Sequence, residues 1–387
     1  MQRKIPVTIM RGGTSRALFF QEKDLPQDPE IRDRVISIAF GSPDPYGRQI
    51  NGLGGATSTT SKVAVISPRV GEPNTVNYTF GQVSINNWLI DRKGNCGNIS
   101  SAVGPYAIDE GMVEVTEPVT LVKIFNTNTQ KYINAQVPVE NGKAKVSGDY
   151  AIAGIPGNGA KIGLEFQQPG GSVTGKLLPT GNTADVLETG NYGPFTVSIV
   201  DAANPLVFVK ASDLGLQGTE LPPAIDSDPE MLAKIESIRA AATVRVGLAK
   251  TLEEATQKSP AVPKIAFVSP AVTYASTSGV PIKAQEIDVT ARIMSMGKLH
   301  SSYAITGAIC TAGAAKITGS VVWEMMPLER KESNLVRLGH PGGTVDVEVE
   351  MSNCCGAYDY IKGTAFRTAR RLMDGFVYIP EEYFYKP

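Results

Sequence analysis

A cysteine framed by glycine and asparagine, in GNCGN (residues 94–98), is the group in this sequence whose type and setting best suit chemistry. The residues around and after it are small or apolar nearly all round, which predicts a helix buried on every side over 94–113. Cys96 therefore stands where a helix begins. Unpaired backbone N–H groups and the positive end of the helix dipole favour a thiolate there, the form in which cysteine acts as base or nucleophile. The flanking glycines, Gly94 and Gly97, let the backbone approach a ligand closely. The competing reading is a small buried hydrophobe, the usual state of an unpaired cysteine. The glycine and asparagine framing favours function.

Lys62 follows GLGGATSTTS (52–61) and opens the apolar run VAVIS. On residues alone it is either a solvated strand-end lysine or a cation directed into a cleft. Three short loops of small, hydroxyl and amide residues lie at strand ends: RGGTS (11–15) with Thr14 and Ser15, NTNT (126–129), and GHPGGT (339–344) with Gly342, Gly343 and Thr344. Such loops offer backbone N–H groups to a carboxylate or serve simply as turns. Two motifs resemble nucleotide-binding loops and fail. GGSVTGKL (170–177) carries Leu177 where a magnesium-binding Ser or Thr is required. GLGGAT (52–57) is too short for a dinucleotide fingerprint and has no acidic partner at the right distance. No nucleotide cofactor is expected.

The elements that must position these groups occur twice. VTIMRGGTSRALFF (7–20) matches VSIVDAANPLVFV (197–209), and SKVAVISP (61–68) matches PKIAFVSP (263–270). LVKIFNTNTQKYINAQV (121–137) matches LVRLGHPGGTVDVEVE (335–350) in the same order. The match sets Asn204 on the RGGTS turn, and so toward the same cleft, and Lys264 on Lys62. Lys264 is read as an ordinary strand-end lysine. Each half carries one small-residue helix, at 94–113 and within 301–322, and the second has no thiol at the position near Leu299 that matches Cys96. The segment 154–195 reads as turns and short strands, 228–252 as a surface helix capped by Asp228, and 364–373 as a last helix before a strand at 376–380. The site belongs in the cleft between the halves.

Composition bounds the rest. The chain has 387 residues, enough for two domains, and its 37 basic and 38 acidic residues leave no footprint for nucleic acid. No stretch approaches the length of a membrane span or forms a signal peptide. Four cysteines (Cys96, Cys310, Cys354, Cys355) make no disulfide framework and read as reduced thiols in a cytoplasm. Two histidines without metal-ligand spacing make a protein-built metal site unexpected. Homo-oligomerisation is compatible with the sequence, although no segment argues for it.

RGGTS before an aromatic strand, GGATSTTSK, GNCGN, GKLLPTGN, DAANP, GKLHSSYAITGA and GHPGG together resemble the PrpF family along essentially the whole chain. That family includes methylaconitate isomerases, methylitaconate Δ-isomerases and oxalomesaconate tautomerases, and the likeness is strongest to the methylitaconate branch. The resemblance implies an α+β, diaminopimelate-epimerase-like fold: two pseudo-symmetric domains, each a β-sheet rolled around a central buried helix. The expected domains are 1–185, joined by the C-terminal segment 375–387, and 186–374. It also implies a catalytic Lys–Cys pair, falling on Lys62 and Cys96, and adds Ser61 and His300 to the substrate-binding residues Thr14, Ser15, Gly97, Asn98, Asn204, Gly342, Gly343 and Thr344. Diaminopimelate epimerase uses one Cys from each half, and this chain departs from that pattern. GHPGG also departs from the GHPSG of most relatives.

The implied reaction is a cofactor-independent 1,3-proton shift in a small unsaturated dicarboxylate, foremost 2-methylitaconate to 2,3-dimethylmaleate. With ordinary proton affinities the favoured pair is thiolate plus ammonium, making Cys96 the base and Lys62 the acid or carboxylate clamp; desolvation would favour thiol plus amine. The alternatives are 2-methylaconitate cis-trans isomerisation or oxalomesaconate tautomerisation, with Arg16 or Arg292 anchoring a third carboxylate, and a non-catalytic carboxylate-binding accessory role. Epimerisation of an amino acid is disfavoured by the missing second cysteine.

Overall fold

The computed structural model describes residues 1–354 and 356–385; Cys355, Lys386 and Pro387 lie outside the described residues. Strand patterning sets the layers. In SRALFFQ, Ala17 and Phe19 join one apolar cluster while Leu18 and Phe20 join another on the opposite face. In NPLVFVK, Leu206 and Phe208 divide from Val207 and Val209 in the same way. Strands buried on both faces read as continuous hydrophobic runs rather than clean alternations.

The first run of strands is β1 (Gln2–Gly12), β2 (Ser15–Gln21), β3 (Lys62–Pro68), β4 (Thr75–Val83), β5 (Ile90–Asp91), β6 (Val119–Asn126), β7 (Lys131–Glu140) and β8 (Ile162–Gln167). The second is β9 (Asp185–Glu188), β10 (Pro194–Ala202), β11 (Asn204–Lys210), β12 (Lys264–Pro270), β13 (Val289–Ser295), β14 (Leu335–His340), β15 (Gly343–Cys354) and β16 (Ala357–Arg367), with β17 (Ala369–Pro380) returning to the first. Pairing follows one rule in both. β1–β2 is antiparallel, β2–β3 parallel, β3–β4 antiparallel, β4–β6 parallel and β6–β7 antiparallel. β10–β11, β11–β12, β12–β13, β13–β14 and β14–β15 repeat that series of directions. β8 and β16 pair with each other and join the two sheets into one. At the far edges β17 pairs with β1 and β9 with β10, both antiparallel.

The four helices of ten or more residues among the described residues complete the layers. α2 (Gly97–Asp109) and α4 (Ile305–Ala314) lie inside the curve of each sheet; α4 is buried at every residue and α2 at all but Asp109. Their side chains form one core with the inner faces of both sheets, and each fully buried aliphatic or aromatic side chain contributes about 1.5–3 kcal/mol. α1 (Pro29–Phe40) covers the outer face of the first sheet, and α3 (Pro229–Arg245) that of the second. Asp228 caps α3 by accepting the Met231 N–H at 3.0 Å.

The mixed α/β architecture is diaminopimelate-epimerase-like, as the family resemblance implied, and its two like-ordered sheets, each around a buried helix, are those the repeat implied. Two expectations are corrected. Residues 364–367 and 369–373 are strand, not helix: Thr364 pairs with Glu165 of β8 and Arg371 with Met10 of β1, so tertiary pairing overrides the helix propensity of TAFRTARRLM. The second-half counterpart of Cys96 is the N-cap of α4, Ala304, five positions beyond Leu299. GGSVTGKL folds back on the chain's own Asp201, whose carboxylate accepts from Ser172 Oγ and from the Val173 and Thr174 N–H groups. No helix among the described residues is long and apolar enough to cross a membrane.

Candidate active site

The N-termini of α2 and α4 meet across a narrow cleft. The approach is so close that a Cβ on Gly97 would stand 2.6 Å from Ile305 Cγ2 and 3.1 Å from the Thr306 nitrogen. Neither N-cap residue, Cys96 or Ala304, supplies a side-chain acceptor to its helix. The first-turn N–H groups of both helices are thus left to face a bound anion. Cys96 lies in the wall of the cleft, its carbonyl accepting the Ser100 N–H at 2.9 Å as α2 begins.

β3 and β12 bring two lysines to the same cleft. Lys62 is buried, and its Nζ donates to Gln82 Oε1 at 2.6 Å. The Gln82 amide is oriented by its own donation to the Ser61 carbonyl at 2.9 Å. Burial holds the Lys62 ammonium below the usual lysine range, and negative charge at Cys96 opposes that shift. Lys264 donates to the Ala261 carbonyl at 3.1 Å. Burial, then repulsion from Lys62, lowers it to about 8, while Asp91 and Cys96 pull the other way.

His300 is buried in the same wall, and burial followed by the two lysine charges lowers it to about 3. Its Nδ1 accepts the Ser302 N–H at 3.0 Å, so the neutral ring carries its proton on Nε2 and is a fixed donor. Three further polar atoms in the wall, Ser15 Oγ, Asn204 Oδ1 and Asp91 Oδ2, are buried with no hydrogen-bond partner among the described residues. Buried orphans of this kind normally mark a ligand or water position.

Of the residues singled out in the sequence, the fold brings Lys62, Cys96, Ser15, Gly97, Asn98, Asn204 and His300 into one cleft. Thr14 stands behind it, accepting from Asn98 Nδ2 at 3.0 Å. Ser61 is turned away, donating to Gln49 Oε1 at 2.8 Å. Gly342, Gly343 and Thr344 form the β14–β15 hairpin, which satisfies its own polar groups. The Gly342 N–H donates to His340 Nδ1, the Gly343 carbonyl accepts from Tyr274, and Thr344 pairs with Gly339. The NTNT loop likewise closes on Asn126, while Asn128 braces Phe80 in the cleft wall. Arg292 lies outside the cleft, with its guanidinium donating to the Glu220 and Ala291 carbonyls, and Arg16 is not in the wall. Gln82 and Asp91 carry no signal in the sequence, whereas Lys264, read there as an ordinary strand-end lysine, reaches the cleft as its internal match to Lys62 signalled.

Comparison with known proteins agrees with this architecture. A family model described as PrpF protein matches residues 2–380. A 3-methylitaconate isomerase of Eubacterium barkeri is 47% identical over 379 residues, covering 98% of each chain. A 2-methyl-aconitate isomerase of Shewanella oneidensis is 40% identical over 391 residues, again covering 98% of each. The crystal structure of a methylitaconate-delta-isomerase, 46% identical, superposes over 100% of this chain and 98% of its own with a TM-score of 0.79. A probable proline racemase of Agrobacterium radiobacter, 12% identical, covers 96% of this chain and 92% of its own at a TM-score of 0.54 and so shares the fold alone.

Proposed function

This chain belongs to the PrpF family and is an isomerase, and from that premise we propose that it moves a double bond within methylitaconate by a 1,3-proton shift, yielding dimethylmaleate. One observation carries the reading: Cys96, uncapped at the start of α2, shares a cleft with Lys62 and with the open first turns of two helices.

The chemistry follows from that arrangement. The carbon to be deprotonated bears a methyl group and a carboxylate and adjoins the methylene-bearing carbon. Its C–H bond is only weakly acidic, because the anion formed lies beside a carboxylate that is already charged. Helix N–H groups that meet this carboxylate stabilise the dienolate it becomes, and preorganised donors of this kind contribute about 10²–10³ each. The Cys96 thiolate takes the proton, and the electron pair spreads through the allyl system into the carboxylate. Lys62, with its proton affinity lowered by burial, protonates the methylene carbon, which becomes a methyl group as the double bond moves inward. The neutral Nε2–H of His300 and the unpartnered Ser15 hydroxyl donate to the substrate's carboxylate oxygens. The same reading puts the protein in the cytoplasm, acting on a free small acid, with residues 1–185 and 375–387 forming one domain and 186–374 the other.

The test is proton NMR of EDTA-treated protein with methylitaconate, methyl-trans-aconitate and trans-aconitate in turn, with Cys96→Ala as control. Conversion of methylitaconate, lost in the variant, is expected. Conversion of the tricarboxylates alone would keep the mechanism and change the substrate, and conversion of none would remove the assigned roles. In single-turnover deuterium tracing, complete passage of label from substrate to product would rule out separate donor and acceptor groups.

A further inference from the structure

The mechanism leaves two charged groups of the cleft unused, Asp91 and Lys264, and the lysine is the one suited to an anionic substrate. Lys264 holds the position in the second half that Lys62 holds in the first. Lys62 opens β3 opposite Ala17 of β2, and Lys264 opens β12 opposite Leu206 of β11. Two residues before Ala17 stands Ser15, and two before Leu206 stands Asn204. Ser15 Oγ and Asn204 Oδ1 are both buried and without a partner. Each side of the cleft therefore offers one lysine and one unfilled polar atom.

Neither lysine has a carboxylate within ion-pair distance among the described residues; their hydrogen bonds go to an amide oxygen and a backbone carbonyl. An ammonium carries three N–H donors, so Lys264 keeps two after its bond to Ala261. Two buried cations that repel one another across a cleft are only partly offset by Asp91 and Cys96, neither within ion-pair distance, and an anion bonded to both stabilises them further. A dicarboxylate does so, with one carboxylate toward each half.

On the isomerase reading above, we propose that Lys264 binds the substrate carboxylate remote from Lys62, so that the enzyme grips a dicarboxylic acid with one lysine from each half. A dienolate forming on the Cys96 side is thereby held by the first half and helix α2, while the second half fixes the far end of the molecule. Lys264 is a substrate-binding residue, and its loss removes recognition of one carboxylate rather than the chemistry.

The experiment reads binding without turnover, as protection of Cys96 from iodoacetamide. The ligands are dimethylmaleate and two methyl-substituted monoamides, one with each itaconate carboxylate replaced by carboxamide. The proteins are wild type, Lys264→Met and Lys264→Arg. A lost hydrogen bond between charged groups weakens binding about 10–100-fold, so Lys264→Met should need that much more dimethylmaleate for equal protection. One monoamide, lacking the carboxylate that Lys264 holds, should protect wild type and Lys264→Met alike, and Lys264→Arg should recover most of the dicarboxylate binding. Equal weakening of all three ligands in Lys264→Met, or of none, overturns the assignment. If wild type isomerises no acid yet this protection pattern appears, the substrate reading fails and the role of Lys264 stands. If turnover is present but the pattern is absent, the reverse holds.

Discussion

Acidification tests the electrostatics of the cleft through His300. The ring is buried beside two lysines, and its proton affinity is lowered to about 3 from an ordinary 6.5. A histidine lowered in this way is neutral in the folded protein and protonates first in the unfolded chain. Its contribution to stability is fully present above about 6.5 and is lost as pH falls toward 3. Each tenfold difference in proton affinity corresponds to about 1.4 kcal/mol, so the group should cost the folded state about 2 kcal/mol between pH 7.5 and 5. The replacement His300→Asn keeps an acceptor for the Ser302 N–H, which donates to Nδ1 in wild type, and removes the titration. Urea unfolding at the two pH values should show wild type losing about 2 kcal/mol more than His300→Asn over this range. The chain has only two histidines, and burial lowers His340 well below its ordinary range as well. Imidazole NMR therefore offers a second reading that does not depend on two-state unfolding: neither ring should titrate between pH 8 and 5. A His300 midpoint near 6.5, or equal acid losses in wild type and variant, would refute the reasoning.

Other outcomes follow from the same geometry. Cys96→Ala should reduce kcat by about 10²–10⁴, the usual worth of a general base, with the far-UV circular dichroism unchanged. Gly97→Ala should lower kcat as well, because its new methyl would stand 2.6 Å from Ile305 Cγ2 and 2.9 Å from Ile305 Cβ and force the two helix starts apart; Ile305→Gly in the same chain removes both atoms and should restore part of the activity, and no rescue would mean the contact is not what matters. Lys264, lowered to about 8, is an ammonium below that pH and an amine above it. The profile of kcat/KM for methylitaconate should accordingly fall as pH rises through about 8, and in Lys264→Arg this alkaline limb should move upward, since arginine stays protonated. An unmoved limb would assign it to another group.

Much of this architecture is written plainly in the sequence because the chain states it twice. Strands buried on both faces leave apolar runs, and helices buried all round leave small-residue runs, so SKVAVISP and PKIAFVSP, or the segments after Cys96 and Ala304, can be matched by eye. What was illegible depends on long-range pairing. TAFRTARRLM has the propensity of a helix, and only β8 and β1, some two hundred and more than three hundred residues earlier in the chain, draw its two parts into strands. The hairpin at Gly342–Thr344 reads like an anion loop because turn and anion site use the same residue types. Its polar groups bond to His340 and Tyr274 instead. Lys264 was discounted because prolines bracket its strand, yet the strand delivers it to the cleft as Lys62 is delivered. The symmetry was the better guide there.

The pairing of β17 with β1 has a bearing on how the protein is made. β1 leaves the ribosome early, but its outer neighbour begins only at Ala369. Until then the sheet that carries Lys62 has an open edge, a template for mispairing with other nascent chains. The second run meets its neighbours from β9 to β16 within residues 185–367. Synthesis thus supplies every strand around Lys264 before the last strand of the sheet that carries Lys62, and the edge at β1 is the last to close. The Glu381 N–H donates to the Met1 carbonyl at 3.0 Å, so this last strand is fastened to the first along its whole length and slightly beyond it.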